Sequence, residues 1–352
     1  AFDPDGAGSG HWREFPAGLL ALPALLYHRE SGRSFLTVCR RVLPGSDPDA
    51  IVSELERSIA VAFDAADCRD RTMPRTSLIV RQERPGGAAW KASVAAAVGA
   101  VRTERLEKVV LARSLALAAD RPFADGVVAA RLRAANPTAT TFVAAHRRAR
   151  FVGATPELLV RLRGGALETV ALAGTIARGD NPEADQALAN QLLTSQKDRI
   201  EHEVVVQTIL EALAPHCADV RRAADTPRIA RSRSVQHLST PIAGTLAPGA
   251  TALALVGCLH PTPAVGGAPR HDALAFIRER ENLDRGWYAG PVGWLDANAD
   301  AEFVVALRSG LIDGCEATLF AGCGIVAASD PDAEYRETAL KFGPMLDALG
   351  LA

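Results

Sequence analysis

Lysine is scarce in this chain. Of 39 basic residues only four are lysine, at positions 91, 108, 197 and 341. Arginine can fill the ordinary surface and ion-pairing roles, so a lysine that remains points to chemistry closed to guanidinium: a desolvated ammonium can lose its proton near neutrality. Lys108, Lys197 and Lys341 fall among other reactive side chains. Lys108 opens the apolar run KVVLARSLALA, Lys197 precedes Asp198 and Glu201, and Lys341 follows Glu334 and Glu337. Each acidic pair is spaced three apart and shares one helix face, where like charges repel. Two such pairs beside apolar runs admit two readings: carboxylate oxygens neutralised by a hard cation such as Mg²⁺, or two solvated acidic faces. Glu157 stands in FVGATPELL, a loop marked by Gly and Pro that leads straight into an apolar strand. A carboxyl at such an edge can be desolvated, which raises its pKa and lets it donate a proton near pH 7. Paired with a lysine acting as base it makes an acid–base couple; alone it is an ordinary glutamate at a strand edge.

The elements that must hold these groups follow from periodicity. Helical spacing predicts helices over Asp47–Cys68, Ala88–Arg105, His271–Asn282 and Asp332–Leu349, and one long helix over Asp185–Ala214 between Asn181-Pro182 and Pro215. Apolar or alternating runs predict strands over Lys108–Ala118, Thr140–Ala145, Leu158–Leu162, Leu167–Leu172, Ser234–Ala243, Gly290–Leu295, Glu302–Leu311 and Glu316–Ile325. Strands come in adjacent runs, which favours an α+β sandwich with antiparallel pairing over a doubly wound sheet. Residues 1–90 are weakly patterned, with loop-forming clusters at Gly6–Gly10, Pro44–Asp49 and Arg84–Gly87, and are expected to form a peripheral lobe of the same domain. Residues 91–352 then carry the catalytic region. LAGT at 172–175 is echoed by IAGT at 242–245, a hint of a duplicated sheet.

Composition removes several classes. A chain of 352 residues is large enough for a two-lobed domain or two domains. Its net charge of −2 offers no footprint for nucleic acid or an anionic membrane. The most apolar early run, Gly18–Tyr27, contains Pro23 and falls short of the roughly 20 residues that span a bilayer. No basic-then-apolar leader opens the sequence, so a cytoplasmic location is expected, although the first residue is Ala1. Six scattered cysteines, without C-x-x-C spacing, read as free thiols. His202-Glu203 lacks a second histidine at position 206, which excludes a zinc-protease helix. Gly322-x-Gly324-x-x-Ala327 mimics a dinucleotide fingerprint, but Ser329-Asp330-Pro331 interrupts the helix that would have to open there. Neither a phosphate-binding G-x-x-x-x-G-K-[ST] loop nor a G-x-S-x-G elbow occurs.

Ten segments in order, KVVLAR, GATPELL, ALAGT, KDRIEHEVVV, VQHL, HPTPAVGG, WYAGPVGW, ALRSG, AGCGIV and EYRETALK, make Lys108–Lys341 resemble the chorismate-utilising enzyme family. The resemblance spans about two thirds of the chain, and the first 90 residues match only loosely. It implies a mixed, largely antiparallel two-sheet sandwich with helices outside, the site between the sheets, and Mg²⁺ on the ring carboxylate of chorismate. Members differ in the nucleophile delivered to ring carbon 2. Lys108 stands where isochorismate and salicylate synthases carry the base that activates water. HPTPAVGG and WYAGPVGW are similar to the isochorismate synthase versions, whereas ammonia users tend to read P-x-G-[ST]-[LI]-T-G-A-P-K.

The implied reaction is therefore water addition at carbon 2 of chorismate with loss of the carbon-4 hydroxyl, giving isochorismate. A monomer with no glutaminase subunit goes with it. The roles implied are Lys108 as base, Glu157 as acid, and Glu201 and Glu337 as metal ligands, assisted through waters by Asp198 and Glu334. Asp198 stands where some relatives have Glu. Tyr288, Arg308 and Lys341 would hold the enolpyruvyl carboxylate, His237 would lie near the metal end, and Gly174, Thr175 and the Gly322 backbone would line the pocket. A salicylate synthase, which shares Lys108 and Glu157 and then eliminates pyruvate, is the alternative. More distant ones are an ammonia-dependent aminodeoxychorismate synthase and a catalytically silent scaffold.

Overall fold

The apolar run that starts at Lys108 is a strand with hydrogen-bonded neighbours on both sides, in one of two seven-stranded sheets. The structure is a computed structural model that describes residues 1–3, 10–30, 32–66, 77–231 and 235–351. In chain order the first elements are β1 (Leu25–Glu30), β2 (Arg33–Val38), α1 (Pro48–Ala66), β3 (Leu78–Arg84), α2 (Gly87–Arg102), β4 (Lys108–Ala119), α3 (Asp125–Ala135) and β5 (Thr140–His146). Next come β6 (Ala149–Thr155), β7 (Leu158–Arg163), β8 (Ala166–Ala177), α4 (Pro182–Thr194), α5 (Gln196–Leu213), β9 (Cys217–Arg222), β10 (Arg228–Arg231) and β11 (Val235–Leu246). The last are α6 (Ala252–Leu259), β12 (Gly267–Ala268), α7 (Arg270–Arg280), β13 (Pro291–Leu295), β14 (Ala301–Val305), β15 (Ser309–Asp313), β16 (Glu316–Ile325) and α8 (Pro331–Leu349).

One seven-stranded sheet runs β12-β4-β16-β15-β6-β5, with β3 also on β4; the other runs β10-β11-β8-β7-β14-β13, with β9 also on β11. Every ladder between described strands is antiparallel. Alternation along the strands divides their side chains between two cores. Phe151, Leu311 and Phe320 of the first sheet join Leu159, Leu162 and Leu167 of the second in one buried cluster. Their chain neighbours Val152, Ile312 and Leu319 point the other way, against Val128 and Leu132 of α3 and Phe342 and Met345 of α8. The α+β two-sheet sandwich with outer helices is thus the architecture observed.

The chain divides into two compact units, Ala1–Ala17 with Thr76–Ala352, and Gly18–Arg75. This differs from a division near residue 90. β3 pairs with β4 from Leu78↔Ala119 to Arg84↔Ser114, and Phe2, Trp12 and Phe15 are buried in the main core. Trp12 stacks on Phe320. Weak periodicity hid these segments because a few large aromatics anchor them. The smaller unit holds the β1–β2 hairpin and α1, whose Arg40–Glu54 ion pair spans 2.7 Å.

Two predicted elements break where the site needs them to. The long helix over 185–214 is two helices, because Ser195 leaves the helical region (φ −64°, ψ 112°) and its side chain caps α5 at the Asp198 amide. The strand over 302–311 is β14 of one sheet and β15 of the other, so 306–308 crosses between sheets and Arg308 takes a left-handed conformation (φ 51°). Strands β1, β2, β3, β6, β9, β10 and β12 and helices α3 and α6 have no counterpart among the predicted elements. Residues 67–68 of the first predicted helix, Ser234 of a predicted strand, Gly6–Ser9 and Cys68 lie outside the described residues. The two echoed segments lie at opposite ends of the β8–β11 ladder, Thr175 opposite His237 and Thr245 opposite Ala166.

Candidate active site

A small cavity of about 80 Å³ opens between the sheets, walled by β4 and β16 of one and β8 and β11 of the other, and by α5 and α8. It gathers Lys108, Glu157, Gly174, Thr175, Glu201, His237, Tyr288, Arg308, Gly322, Glu337 and Lys341 from segments far apart in sequence. Of the expected site residues only Asp198 and Glu334 are off its wall.

The charged groups face one another as lysine–carboxylate pairs. Lys108 Nζ donates to Glu201 Oε1 at 2.5 Å. Lys341 Nζ donates to Glu337 Oε1 at 2.6 Å and to the Gly322 carbonyl at 2.8 Å. Burial pushes both carboxyls up, but the charge and hydrogen bond of the paired lysine outweigh it, and each ends below the usual range. Room for Lys108 exists because position 324 is glycine: a Cβ there would lie 2.6 Å from Lys108 Cε.

Glu157 behaves differently. It has no lysine in hydrogen-bonding contact, and burial raises its pKa to about 7 against the lowering pull of Arg308, Lys108 and Lys341. Its loop is fixed. The Thr155 hydroxyl donates to the Val305 carbonyl at 2.6 Å and accepts from the Glu157 amide at 3.2 Å, while the Val305 amide donates to the Glu157 carbonyl at 3.0 Å. A carboxyl held half protonated at neutral pH on a rigid loop can serve as a general acid.

His237 sits beside a bulge in the β8–β11 ladder, where Gly174 (φ 73°) is the extra residue between pairs Thr175↔His237 and Ala173↔Leu238. Its Nδ1 lies 3.0 Å from Thr175 Oγ1 and 3.3 Å from the Gly174 carbonyl. A carbonyl can only accept, so we assign the ring proton to Nδ1 and a lone pair to Nε2. Burial lowers the pKa of His237 to about 3, with Arg308 and Lys341 acting in the same sense, and the ring is neutral. Tyr288 stacks on Phe320 with centroids 5.3 Å apart, and burial pushes its phenol up. Burial lowers the Arg308 guanidinium, against the pull of Tyr288, Glu157 and Glu337.

Asp198 accepts from the Ser195 hydroxyl at the α5 cap, and Glu334 takes a hydrogen bond from Ser329, its carboxyl raised by burial and by Glu337. Among the described residues no three His, Cys, Asp or Glu side chains converge as a metal cluster. The carboxylates that face the cavity are Glu201 and Glu337, each paired with a lysine. Carboxylate oxygens of this kind suit a hard cation that keeps substrate and water oxygens for its remaining positions, on condition that Lys108 and Lys341 yield the oxygens they now hold. Arg285 is a wall residue that sequence reasoning missed. It is buried in a pair with Glu281 at 2.5 Å, while Glu281 also accepts the Ala112 amide at 2.7 Å. The i, i+4 spacing of Glu281 and Arg285 was the available signal. His202 bonds Thr240 at 2.8 Å and belongs to the core.

Fold and site define an enzyme with a raised-pKa carboxyl and two lysine–carboxylate pairs around one small cavity. The family described as chorismate binding enzyme matches residues 1–350. Isochorismate synthase MenF of Bacillus subtilis is 39% identical over 99% of this chain and 73% of its own length. The salicylate biosynthesis isochorismate synthase of Pseudomonas aeruginosa is 42% identical over 99% of this chain and 72% of its own. In structure, MenF of Escherichia coli, the menaquinone-specific isochorismate synthase, superposes with a TM-score of 0.81 at 31% identity, over 94% of this chain and 75% of that one. Anthranilate synthase component I of Streptococcus pneumoniae gives 0.74 at 25% identity, over 88% and 69%. The chain belongs to the chorismate-binding enzyme family.

Proposed function

We propose that this protein is an isochorismate synthase, an isomerase that converts chorismate to isochorismate. The observation that carries the reading is the meeting of Lys108 and Glu157 in one enclosed cavity, with Glu157 poised near pH 7. Lys108, after giving up its ammonium proton and leaving the ion pair with Glu201, takes a proton from water as the water oxygen bonds to ring carbon 2. The ring double bonds shift, and Glu157 protonates the carbon-4 hydroxyl, which leaves as water. Arg308, whose planar fork suits a carboxylate, holds the enolpyruvyl carboxylate with Tyr288 and Lys341. His237, neutral, offers its Nε2 lone pair to a substrate hydroxyl, and Gly174, Thr175 and the Gly322 backbone shape the wall.

Glu201 and Glu337 would hold Mg²⁺, with Asp198 and Glu334 acting behind them. When bound, the cation supplies the positive charge that fixes the ring carboxylate and polarises the diene. The reading includes a monomer in the cytoplasm without a glutaminase subunit, since water and not ammonia is the nucleophile. No described helix is long and apolar enough to cross a membrane. The deciding experiment is incubation with chorismate and Mg²⁺ followed by chromatography. Isochorismate is the expected product. Salicylate with pyruvate would move the protein to the salicylate synthases, and unchanged chorismate would overturn the reading.

A further inference from the structure

Two of the ten segments, KVVLAR and EYRETALK, each bring a lysine to the cavity, and their other residues meet outside it. The meeting point is Arg113 on β4. Strand alternation turns it to the side of Leu115, Leu117 and Ala119, away from Lys108 and toward the outer helices. It lines no part of the cavity, yet its side chain is only 1% exposed. The guanidinium lies against α8. Its Nε donates to the Thr338 hydroxyl at 2.8 Å and an outer nitrogen donates to the Tyr335 carbonyl at 3.3 Å. Its central carbon stands 4.2 Å from the centre of the Tyr335 ring and 5.1 Å from that of Phe342. The second outer nitrogen lies 3.1 Å from Glu83 Oε2 on β3, an oxygen that also accepts the Tyr335 hydroxyl at 2.5 Å.

A buried charge in an otherwise apolar layer is poor evidence of added stability, because a well-packed apolar side chain in its place is often at least as stable. What the fork adds is direction. Tyr335, Thr338 and Phe342 lie at i, i+3 and i+7 and form one stripe of α8, and Glu337 and Lys341 form the stripe beside it. A helix advances about 1.5 Å and turns about 100° per residue, so a slip or roll that loosens the first stripe carries the second with it. The lysine end has its own tie, since Lys341 donates to Glu337 and to the Gly322 carbonyl. Gly322 pairs with Ala112 and Ala321 with Arg113, which puts the two ties on adjacent rungs of the β4–β16 ladder. An ammonium has three N–H donors, and two of those on Lys341 are engaged, which leaves one for a ligand in the cavity. Its aim depends on where α8 sits, and Arg113 holds α8 without using a cavity residue.

We propose that Arg113 is a positioning residue for this site: from the side of β4 that faces away from the cavity it fixes the height and roll of α8, and so aims Lys341 and Glu337. The inference rests on the isochorismate synthase reading, in which Lys341 helps to hold the enolpyruvyl carboxylate and Glu337 the cation. A contact made equally by substrate and transition state governs KM and leaves kcat alone. Loss of Arg113 therefore weakens binding and spares proton transfer at Glu157, whose loop is held separately by Thr155 and Val305.

The test sets chorismate kinetics at saturating Mg²⁺ beside Tm for three variants of the full protein. Arg113→Met keeps an unbranched chain and removes the fork; Glu83, 33% exposed at its side chain, is not left as a buried charge. This variant should raise KM on the order of tenfold, keep kcat within about threefold, and leave the alkaline limb of kcat near pH 7 unmoved. Thr338→Val removes only the hydroxyl that receives Arg113 Nε and should raise KM by about threefold. Leu162→Ala opens a void in the second sheet at a residue that does not line the cavity, and should lower Tm with KM unchanged. If Arg113→Met does not fold, Thr338→Val against Leu162→Ala decides. Native KM in both helix-tie variants overturns the assignment. So does a KM that rises as much in Leu162→Ala, or a loss of kcat at unchanged KM. A native protein that makes no isochorismate from chorismate overturns the isochorismate reading itself, whereas native turnover with unmoved KM in the variants overturns only the part given to Arg113.

Discussion

Lys108 Nζ lies 2.5 Å from Glu201 Oε1, so the proposed base and a proposed cation ligand hold each other across the gap between β4 and α5. Both are largely buried, with side chains 7% and 15% exposed. Removing one partner of such a pair strands a charge, at a cost of about 3 kcal/mol. Lys108→Met should therefore lower Tm and cut kcat on the order of 10²- to 10⁴-fold. Adding Glu201→Gln should restore most of the stability and none of the rate. A double-mutant cycle by thermal denaturation and product assay checks this, and native Tm in the single variant would show that the pair is not coupled.

Cation binding should divide the four carboxylates as the cavity does. Glu201→Gln and Glu337→Gln should each weaken Mg²⁺ at least tenfold in a calorimetric titration, since each removes half of the protein's own donor set on the wall. Asp198→Asn and Glu334→Gln should shift it far less, because Ser195 and Ser329 engage those groups away from the wall. Chelator should abolish turnover and Mg²⁺ restore it. Equal affinities in all four variants would mean that the cation binds elsewhere, and full activity in excess chelator would remove the cation from the reaction.

What the sequence disclosed of this arrangement followed from residue chemistry more than from pattern. The rarity of lysine singled out Lys108, Lys197 and Lys341, of which Lys108 and Lys341 line the cavity and Lys197 does not. The i, i+3 spacing found both acidic pairs, but spacing fixes a helix face and not which member reaches inward. That choice depends on the break at Ser195, where a polar cap ends one helix and begins another inside an unbroken helical pattern. Arg308 was legible as a carboxylate ligand only through resemblance. Its left-handed backbone at the crossover between sheets leaves no trace in alternation, so β14 and β15 read as one strand. Asn and Gly favour such a conformation, and an arginine there marks local strain retained where a side chain must be aimed.

Gly324 should tolerate no side chain without loss of rate. A methyl at its Cβ position would lie 2.6 Å from Lys108 Cε and 3.1 Å from Nζ. The lysine tip is flexible and can yield, so the fold should persist while the amine leaves its place on Glu201. Gly324→Ala should lower kcat by at least tenfold with KM for chorismate changed little, a split that steady-state kinetics resolves. Native kcat would show that the amine need not occupy this position.

Glu157 couples activity and stability to one ionisation. As proton donor it must be protonated, and its pKa of about 7 means that kcat should fall as pH rises through that value. Glu157→Gln should lose on the order of 10²- to 10⁴-fold in kcat and with it this alkaline limb. Stability carries the same sign. Folding raises the carboxyl from 4.5 to about 7, so the folded state binds the proton more tightly, and stability present below 4.5 is lost as pH climbs through 7. A shift of this size corresponds to about 3 kcal/mol at pH 8, spent on burying an ionised group with Arg308, Lys108 and Lys341 as partial compensation. Glutamine carries no charge, so Glu157→Gln should melt higher than the native protein at pH 8 and near it at pH 5. Thermal denaturation at the two pH values, beside kcat from pH 6 to about 9, tests both halves. A variant less stable at pH 8, or a native kcat flat across pH 7, would show that this carboxyl is ionised at rest and is not the acid.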